Sequence, residues 1–467
     1  MTKRLIVNVF EMNTPGHITH GLWRLPGNQR DRYSSIEYWT ELARIAEAGG
    51  FDAVFLADVV GAYDVYDDDF APAVQRGLQI PNNDPMLVIP AMAAVTEHLG
   101  FGVTFSTTYE PPFAFARRMS TLDHLTDGRV GWNIVTSYLP NAARNFGLAE
   151  QIPHDERYRI AEEYLDVLYK LWEGSWDDDA IEVDREGDRY ADPAKVRRID
   201  HEGEFFRVAG PHLSEPSRQR TPVLFQASAS KAGTAFAAKH AEVLFTADRP
   251  AGALERNIAA IREAAVEAGR RADDTRYLVM ATVIVGRTEA EAREKYEHYR
   301  AFRDAEGSFV HMSVPFHPLE HDPSITIREA LVAEGRHDVI AEGGLPLELT
   351  VGAFRAGVDE AWDARFLAVG TPEQVADTIE RWLDEDGIDG INLRQYHSYD
   401  TIRDFGELVT PELRRRGRMR EAYVPGETLR ERIFGEGARL PERHPAARYR
   451  GGANLREPAA AAAGRGE

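Results

Sequence analysis

Polar side chains with binding chemistry gather where an apolar segment of the chain ends, at residues 129–138. The segment reads Arg-Val-Gly-Trp-Asn-Ile-Val-Thr-Ser-Tyr, so Asn133, Thr136 and Ser137 bring an amide and two hydroxyls to the end of a buried strand. In α/β proteins, ligands bind at the carboxyl ends of parallel strands. We therefore predict that these side chains hydrogen-bond a ligand.

A second set of residues has the chemistry of a phosphate site. The apolar residues 223–226 are followed by Ala227, Ser228 and a helix. The amino end of a helix has unpaired N–H groups and a partial positive charge that favour phosphate, although one serine could simply be the N-cap. His154 and Tyr158 are four residues apart and would share one helix face, against the ligand or towards solvent. We interpret the two groups as halves of a cradle for a phosphorylated cofactor.

Other candidate residues follow the remaining strands. His17 and His20 come after the first strand, but no H-E-x-x-H pattern accompanies them, so we predict no metal site. We interpret them as neutral loop imidazoles near the mouth of a pocket. Asp58 ends the second strand, as a helix cap or a ligand contact. Thr104 belongs to a hydroxyl-rich third strand end, which in a barrel is more often functional than structural.

The elements that would position these residues alternate regularly. Helical periodicity follows each apolar strand, for example at 85–97 and 158–172, and capping boxes are predicted at 34–37 and 371–374. Continuous apolar strands indicate a parallel sheet covered on both faces. The class is therefore α/β, and the number of units favours a (β/α)8 TIM barrel over a doubly wound open sheet. The eight predicted strands are 5–10, 51–56, 102–105, 130–135, 223–226, 243–245, 278–285 and 390–393.

Three polar or turn-rich segments interrupt this alternation, at about 61–83, 173–220 and 302–365. Long ordered loops usually cover active sites, so we interpret these segments as insertions on the barrel. We predict one barrel domain over residues 1–423. Residues 424–467 form a C-terminal extension, and we expect its end, with the alanine run at 459–463, to be flexible.

Composition narrows the choice of partner and compartment. The chain has 55 basic and 76 acidic residues and a formal charge of −21, which argues against nucleic acid and anionic membranes as partners. The absence of cysteine excludes disulfides, thiolate metal sites and a cysteine nucleophile. No apolar run approaches the roughly 18 residues of a membrane span, and the first residues lack a signal sequence, so we expect a cytoplasmic protein. The G-x-G-x-x-G, P-loop and G-x-S-x-G motifs do not occur.

The chain resembles the bacterial-luciferase-like flavin monooxygenases. Within them it is most similar to the branch of nitrilotriacetate monooxygenase component A and dibenzothiophene-sulfone monooxygenase. The resemblance covers roughly residues 8–416 and includes the final capping box at 369–374. Its motifs include Phe-Asp-Ala-Val-Phe-Leu-Ala-Asp at 51–58, Gly-Trp-Asn-Ile-Val-Thr-Ser at 131–137, His-Asp-Glu-Arg-Tyr at 154–158 and Gln-Ala-Ser at 226–228.

This resemblance implies a barrel with long loop insertions that binds FMN at its carboxyl end. It also implies a two-component monooxygenase, which takes reduced FMN from a separate NAD(P)H:flavin reductase and uses O2 to oxygenate a small organic compound, such as a xenobiotic or an organosulfur compound. A non-catalytic flavin-binding protein and a deazaflavin-dependent oxidoreductase are the alternatives. We expect a homodimer or homotetramer, because long insertions offer contact surface.

Carried over to this sequence, the resemblance assigns a role to each candidate residue. The flavin ring and ribityl chain would meet Asp58, Thr104, Asn133 and Ser137, and the phosphate would meet His154, Tyr158, Ala227 and Ser228. Asn133 would also act in catalysis, near the reactive edge of the flavin. His20 and His311, the second within the longest insertion, are candidates for substrate contact or proton transfer. The last strand ends in Arg394 and His397, which either form an anion-binding wall or turn outward.

Overall fold

Eight parallel strands close into a ring in the computed structural model, which describes residues 3–227, 230–246, 252–362 and 365–456. Each strand pairs with the next along the chain, and the last pairs with the first, so the predicted (β/α)8 barrel is confirmed. The strands are β1 (Ile6–Met12), β2 (Ala53–Ala57), β3 (Gly100–Ser106), β4 (Val130–Val135), β5 (Val223–Ala227), β6 (Val243–Phe245), β7 (Arg276–Val285) and β8 (Gly390–Arg394).

Side-chain alternation along the strands separates two cores. Val7 and Val9 of β1 pack outward against the helices, whereas Ile6 and Phe10 belong to a cluster that fills the ring. Asn392 lies on this inner face of β8, where it accepts a hydrogen bond from the Asn8 amide at 3.0 Å. The same alternation places the last residue of β8, Arg394, on the inner face, in register with Phe10.

Helices cover the outside of the ring. They include Ile36–Ala48, Ile89–Ala93, Pro112–Leu125, His154–Tyr169, Lys231–His240, Ala253–Glu267, Glu289–Arg300 and Pro372–Asp384, and Asp400–Asp404 and Thr410–Arg415 follow β8. Among the described residues, no helix combines the length and apolar character needed to cross a membrane.

Three local predictions differ from the structure. The helix predicted at 85–97 starts as a 3-10 turn, Pro85–Val88, and ends at Ala93, because the guanidinium of Arg129 and the carboxylate of Glu47 bind the backbone groups that would continue it. The capping box at 34–37 does not form, since Ser35 is the N-cap and bonds the Glu37 side chain instead. A short strand, Leu367–Gly370, was not predicted. It pairs with the last four residues of β7, which lie beyond the part of β7 that pairs with β8. The box at 371–374 forms as predicted.

Two of the three predicted insertions, 61–83 and 302–365, pack together at the carboxyl end of the ring. Residues 302–365 hold the helices Ala305–His311, Ile327–Ala333, His337–Glu342 and Val351–Trp362. Their apolar side chains form one cluster with Tyr63 and Leu139, which come from other loops. Residues 173–220 hold two hairpins instead, Ile181–Asp184 with Arg189–Ala191 and His201–Glu202 with Arg207–Val208.

The C-terminal extension closes the opposite end. Its helix Leu429–Phe434 places Leu429 and Ile433 in the cluster that fills the ring. The Leu429 N–H donates to the carbonyl of Gly128, which fixes this helix below the amino end of β4. The alanine run at 459–463, in the end that was predicted to be flexible, lies outside the described residues.

Candidate functional site

A cavity of about 330 Å³ opens at the carboxyl end of the ring, beside β2, β4 and β5. Its volume lies in the usual range for small-molecule sites. The walls contain five of the eight predicted cofactor-binding residues, which are Asp58, Ser137, His154, Tyr158 and Ala227. Ser228 lies outside the described residues, and Thr104 and Asn133 sit deeper, on the strands themselves.

Asn133 and Thr104 form a buried pair across β4 and β3. They are register partners, and the Asn133 amide donates to the Thr104 hydroxyl at 2.9 Å. Within the described part of the chain, the Asn133 Oδ1 atom has no hydrogen-bond partner, although Asn133 is only 6% exposed. The Gln226 Oε1 atom, on β5 in the cavity wall, also has no hydrogen-bond partner among the described residues. Two amide oxygens are therefore ready to accept hydrogen bonds from a ligand.

Ser137 turns the chain just after β4. Its φ of 57° lies in the left-handed region that non-glycine residues seldom adopt. Its hydroxyl donates to the Ser106 hydroxyl at 2.9 Å, which ties the ends of β4 and β3 together. The turn carries the chain from the inner wall to the cavity rim.

The predicted phosphate half of the cradle is assembled from two helix starts. The rings of His154 and Tyr158 lie 5.2 Å apart at the beginning of His154–Tyr169. Tyr158 also packs against Phe236 of Lys231–His240, at 5.6 Å. The N-cap of that second helix is Ser230, whose hydroxyl accepts a hydrogen bond from the Gly233 N–H.

Arg157 also lines this cavity, and the sequence analysis did not single it out. The side chain is buried, and its Nη1 donates to the Thr136 carbonyl at 3.4 Å, while its Nε has no partner among the described residues. Burial lowers the pKa of this guanidinium. Its place between His154 and Tyr158 in the motif at 154–158 was the available signal, because a cation there adjoins both predicted phosphate contacts.

Asp58 follows β2 on the opposite wall. Its carboxylate accepts a hydrogen bond from the Asn82 amide at 2.8 Å. Burial raises the pKa of Asp58 to about 7; the Asn82 hydrogen bond opposes this shift and the nearby Asp84 adds to it. This carboxyl group can therefore donate or accept near neutral pH.

His20 and His311 contact each other outside the cavity. The His20 Nε2 and His311 Nδ1 atoms are 3.0 Å apart, and His20 Nδ1 lies 3.0 Å from the Ser308 hydroxyl. His17 is close to both, with its ring 5.8 Å from that of His311. Burial lowers the pKa of His311 to about 4 and, together with the neighbouring imidazoles, lowers the pKa values of His17 and His20 well below their usual value. All three are neutral at pH 7.

A chain of hydrogen bonds joins these histidines to the cavity. The Gln79 Nε2 atom lies 3.2 Å from His311 Nε2, and the Gln79 Oε1 atom accepts from Tyr63 at 3.3 Å. The Tyr63 hydroxyl is 2.5 Å from that of Tyr138, which lines the cavity. Sequence reasoning missed Tyr63 and Gln79, because both belong to the 61–83 insertion and form no local pattern.

Arg394 and His397 have different surroundings at the end of β8. Arg394 is buried and donates to the Thr282 hydroxyl at 2.9 Å and to the Trp362 carbonyl at 2.9 Å. His397 lies against the first loop, where its Nε2 is 3.1 Å from the Pro26 carbonyl, and it pairs with Asp400. Arg394 therefore belongs to the inner wall, and His397 faces the outer loops.

Sequence comparison finds relatives along nearly the whole chain. The family described as luciferase-like monooxygenase matches residues 18–390. Long-chain alkane monooxygenase from Geobacillus thermodenitrificans (strain NG80-2) is 49% identical, over 96% of this chain and 99% of the relative. Nitrilotriacetate monooxygenase component A from Aminobacter aminovorans is 34% identical, over 89% of this chain and 93% of the relative.

Solved structures agree with these relatives. A crystal structure of long-chain alkane monooxygenase is 49% identical, covers 96% of this chain and 100% of its own, and has a TM-score of 0.88. A crystal structure of riboflavin lyase with modified FMN and riboflavin is 37% identical, covers 96% of this chain and 100% of its own, and has a TM-score of 0.85.

Proposed function

Because this chain belongs to the luciferase-like monooxygenase family, we propose that it is the oxygenase component of a two-component, FMN-dependent monooxygenase. Reduced FMN would come from a separate NAD(P)H:flavin reductase, and O2 would be the oxidant. The observation that carries the proposal is the cavity at the carboxyl end of the ring, whose wall contains five residues assigned to FMN from sequence alone.

The chemistry of the wall fits FMN. Arg157 is a buried cation with no carboxylate in ion-pair distance among the described residues, which suits a phosphate. The unpaired oxygens of Asn133 and Gln226 suit the N–H and hydroxyl donors of a flavin and its ribityl chain. We assign the ring and ribityl contacts to Asp58, Thr104, Asn133 and Ser137, and the phosphate contacts to Arg157, His154, Tyr158, Ala227 and Ser228.

The protein's own part in the reaction is positioning and exclusion of water. Reduced FMN, if bound in this cavity, would supply the two electrons with which one atom of O2 enters the substrate and the other leaves as water. Asn133 is held in one orientation by Thr104, so its Oδ1 accepts without reorganisation. His20 and His311 are neutral imidazoles, which can hold or move a proton near the substrate without charging the site.

We propose a small organic molecule as substrate. Relatives are named for an alkane and for nitrilotriacetate, so membership in the family leaves the chemical class open. We expect the substrate to bind on the side of the cavity where Tyr138 contacts Tyr63, because Tyr63 is connected to His311 by hydrogen bonds through Gln79.

The test is reconstitution. Purified protein alone is expected to be inactive, and addition of a flavin reductase, FMN and NADH should give O2-dependent turnover in a substrate screen. Turnover without reduced flavin would contradict the proposal. Anaerobic turnover would favour a deazaflavin oxidoreductase instead, and flavin binding without any product from a broad screen would favour a flavin carrier.

A further inference from the structure

Most of the buried arginines in the described part of the chain form an ion pair with a carboxylate, but three of them do not. Among the described residues, seven arginines are buried: Arg30, Arg129, Arg157, Arg220, Arg270, Arg394 and Arg430. Four of them form ion pairs: Arg30 with Glu11, Arg220 with Asp178, Arg270 with Asp274, and Arg430 with Glu242. A buried cation without a counter-ion is costly, so the remaining three, Arg129, Arg157 and Arg394, each require an explanation.

Two of these three arginines have a negative partner, one in the structure and one in the proposed function. Arg129 donates to the carbonyls of Ala93, Thr96 and Thr126, which lie at or just after the carboxyl ends of two helices. Such ends carry partial negative charge. Arg157 lines the cavity proposed for FMN, whose phosphate would be its counter-ion.

Arg394 has neither explanation. It is 5% exposed, and its partners are the Thr282 hydroxyl, the Tyr396 hydroxyl and a single carbonyl, that of Trp362. Its Nη1 makes no hydrogen bond to any residue in the described ranges, and no carboxylate there lies within ion-pair distance. One donor group of this guanidinium therefore has no protein partner, and no carboxylate in the described ranges balances its charge.

The position of Arg394 separates it from the FMN site. Arg394 stands on the inner face of β8, four strands around the ring from β4. Its register partner Phe10 stacks on His17, with ring centroids 5.2 Å apart. Trp362, whose carbonyl accepts from Arg394, lies 5.7 Å from the ring of His20. The guanidinium thus borders the cluster of neutral histidines that the proposed function places beside the substrate.

We propose that Arg394 determines specificity, by binding an anionic group of the substrate, in the first instance a carboxylate. This inference rests on the proposed function for the position of the substrate. A carboxylate is the anion whose geometry guanidinium recognises best. The neutral histidines add donors but no competing positive charge. The substrate would then belong with acids such as nitrilotriacetate rather than with alkanes, although the alkane enzyme is the more similar in sequence.

The test compares matched acids and amides. Butanoate, hexanoate and octanoate, and the corresponding amides, are titrated into the FMN-loaded protein and into the FMN-free protein by calorimetry. At least one acid should bind about tenfold or more tightly than its amide, the ratio expected for one charge-assisted hydrogen bond. Arg394→Gln, which keeps a donor for Thr282 but removes the charge, should bring the ratio close to one, and Arg394→Lys should retain part of it.

Thr282→Val is the matched control, since it removes a neutral partner of Arg394 and leaves the charge, so the preference for the acid should persist. Equal binding of acid and amide by the wild type, no binding of any acid, or a wild-type ratio in Arg394→Gln would overturn the proposal. If Arg394→Gln does not fold, the wild-type and Arg394→Lys ratios decide. A protein that prefers acids but does not bind FMN would refute the proposed function alone.

Discussion

Two side chains at the cavity, Asn133 and Arg157, are each held by one protein contact while a second polar atom has no partner among the described residues. Asn133 donates to Thr104 and keeps its oxygen unpaired. Arg157 donates to the Thr136 carbonyl and keeps Nε unpaired. One contact fixes the rotamer, and the free atom meets the ligand, which reduces the entropy that binding would otherwise cost.

If Tyr158 contacts the FMN phosphate as proposed, its hydroxyl group should contribute to FMN binding. Tyr158→Phe should weaken FMN binding by about 1 kcal/mol, the usual net contribution of a hydrogen bond. Riboflavin, which lacks the phosphate, should bind the variant as it binds the wild type. Fluorescence titration with both flavins measures the difference, and the exposed Tyr190→Phe is the control. An equal loss for both flavins would place Tyr158 away from the phosphate.

Because Asp58 is buried, its ionisation should make the free energy of unfolding depend on pH. Its pKa is about 7 in the folded protein, against about 3.9 in an unfolded chain. Between these values the unfolded chain has lost the proton that the folded one keeps, so rising pH favours unfolding in this window. Asp58→Asn removes the effect. From pH 4 to pH 8 the variant should gain at least about 1 kcal/mol of unfolding free energy relative to the wild type, the equivalent of one pKa unit.

Chemical denaturation at the two pH values measures this, with the exposed Glu150→Gln as control. A constant difference between Asp58→Asn and wild type would show that the carboxylate is not desolvated.

At the level of secondary-structure elements, one loop and one short helix pack against each other at the edge of the cavity. Residues 61–64 lie against Pro140–Asn145, so closely that a Cβ on Gly61 would be 2.6 Å from the Ala142 nitrogen. Asn141 accepts from the Ala62 N–H at 2.9 Å and donates to Asp64 at 3.0 Å. Reduced FMN is a co-substrate in the proposed function, so this contact should limit its exchange.

Asn141→Ala removes both of these hydrogen bonds. We expect FMN to dissociate about tenfold faster, since two bonds of about 1 kcal/mol each exceed the 1.4 kcal/mol that corresponds to a factor of ten. Stopped-flow fluorescence measures the rate. Asn454→Ala, which removes an exposed amide bonded to the Arg448 carbonyl, is the control. An unchanged rate would mean that flavin leaves by another route.

For the whole molecule, the three neutral histidines link pH to stability. Unfolded His311 binds a proton below about pH 6.5, whereas the folded side chain does so only near pH 4. The unfolded state therefore takes up more protons in this window, and stability falls as pH is lowered from 6.5 to 4. His17 and His20 act in the same direction.

His311→Gln should reduce this acid sensitivity. Between pH 7 and pH 4.5, the unfolding free energy of the variant should fall by at least about 1 kcal/mol less than that of the wild type. Denaturant titrations at both pH values measure the change, with the exposed His337→Gln as control. The same fall in both proteins would show that His311 is solvated.

The sequence by itself determined the ring and one wall of the site. Apolar strands and amphipathic helices are periodic patterns of neighbouring residues, so all eight strands could be located without long-range information. Ser137, His154, Tyr158 and Ala227 could be named because they lie at or near the ends of such elements, and their motifs resemble those of a known family.

Only the tertiary structure decided which distant side chains meet. Gln79 contacts His311 across 232 positions of the chain, and Arg394 contacts Thr282 across 112. No local pattern encodes such pairs, because they depend on how the insertions fold back over the ring. The same holds for charge: whether an arginine has a counter-ion depends on burial and on neighbours that are remote in sequence, which is why the surroundings of Arg157 and Arg394 could not be deduced from residue order.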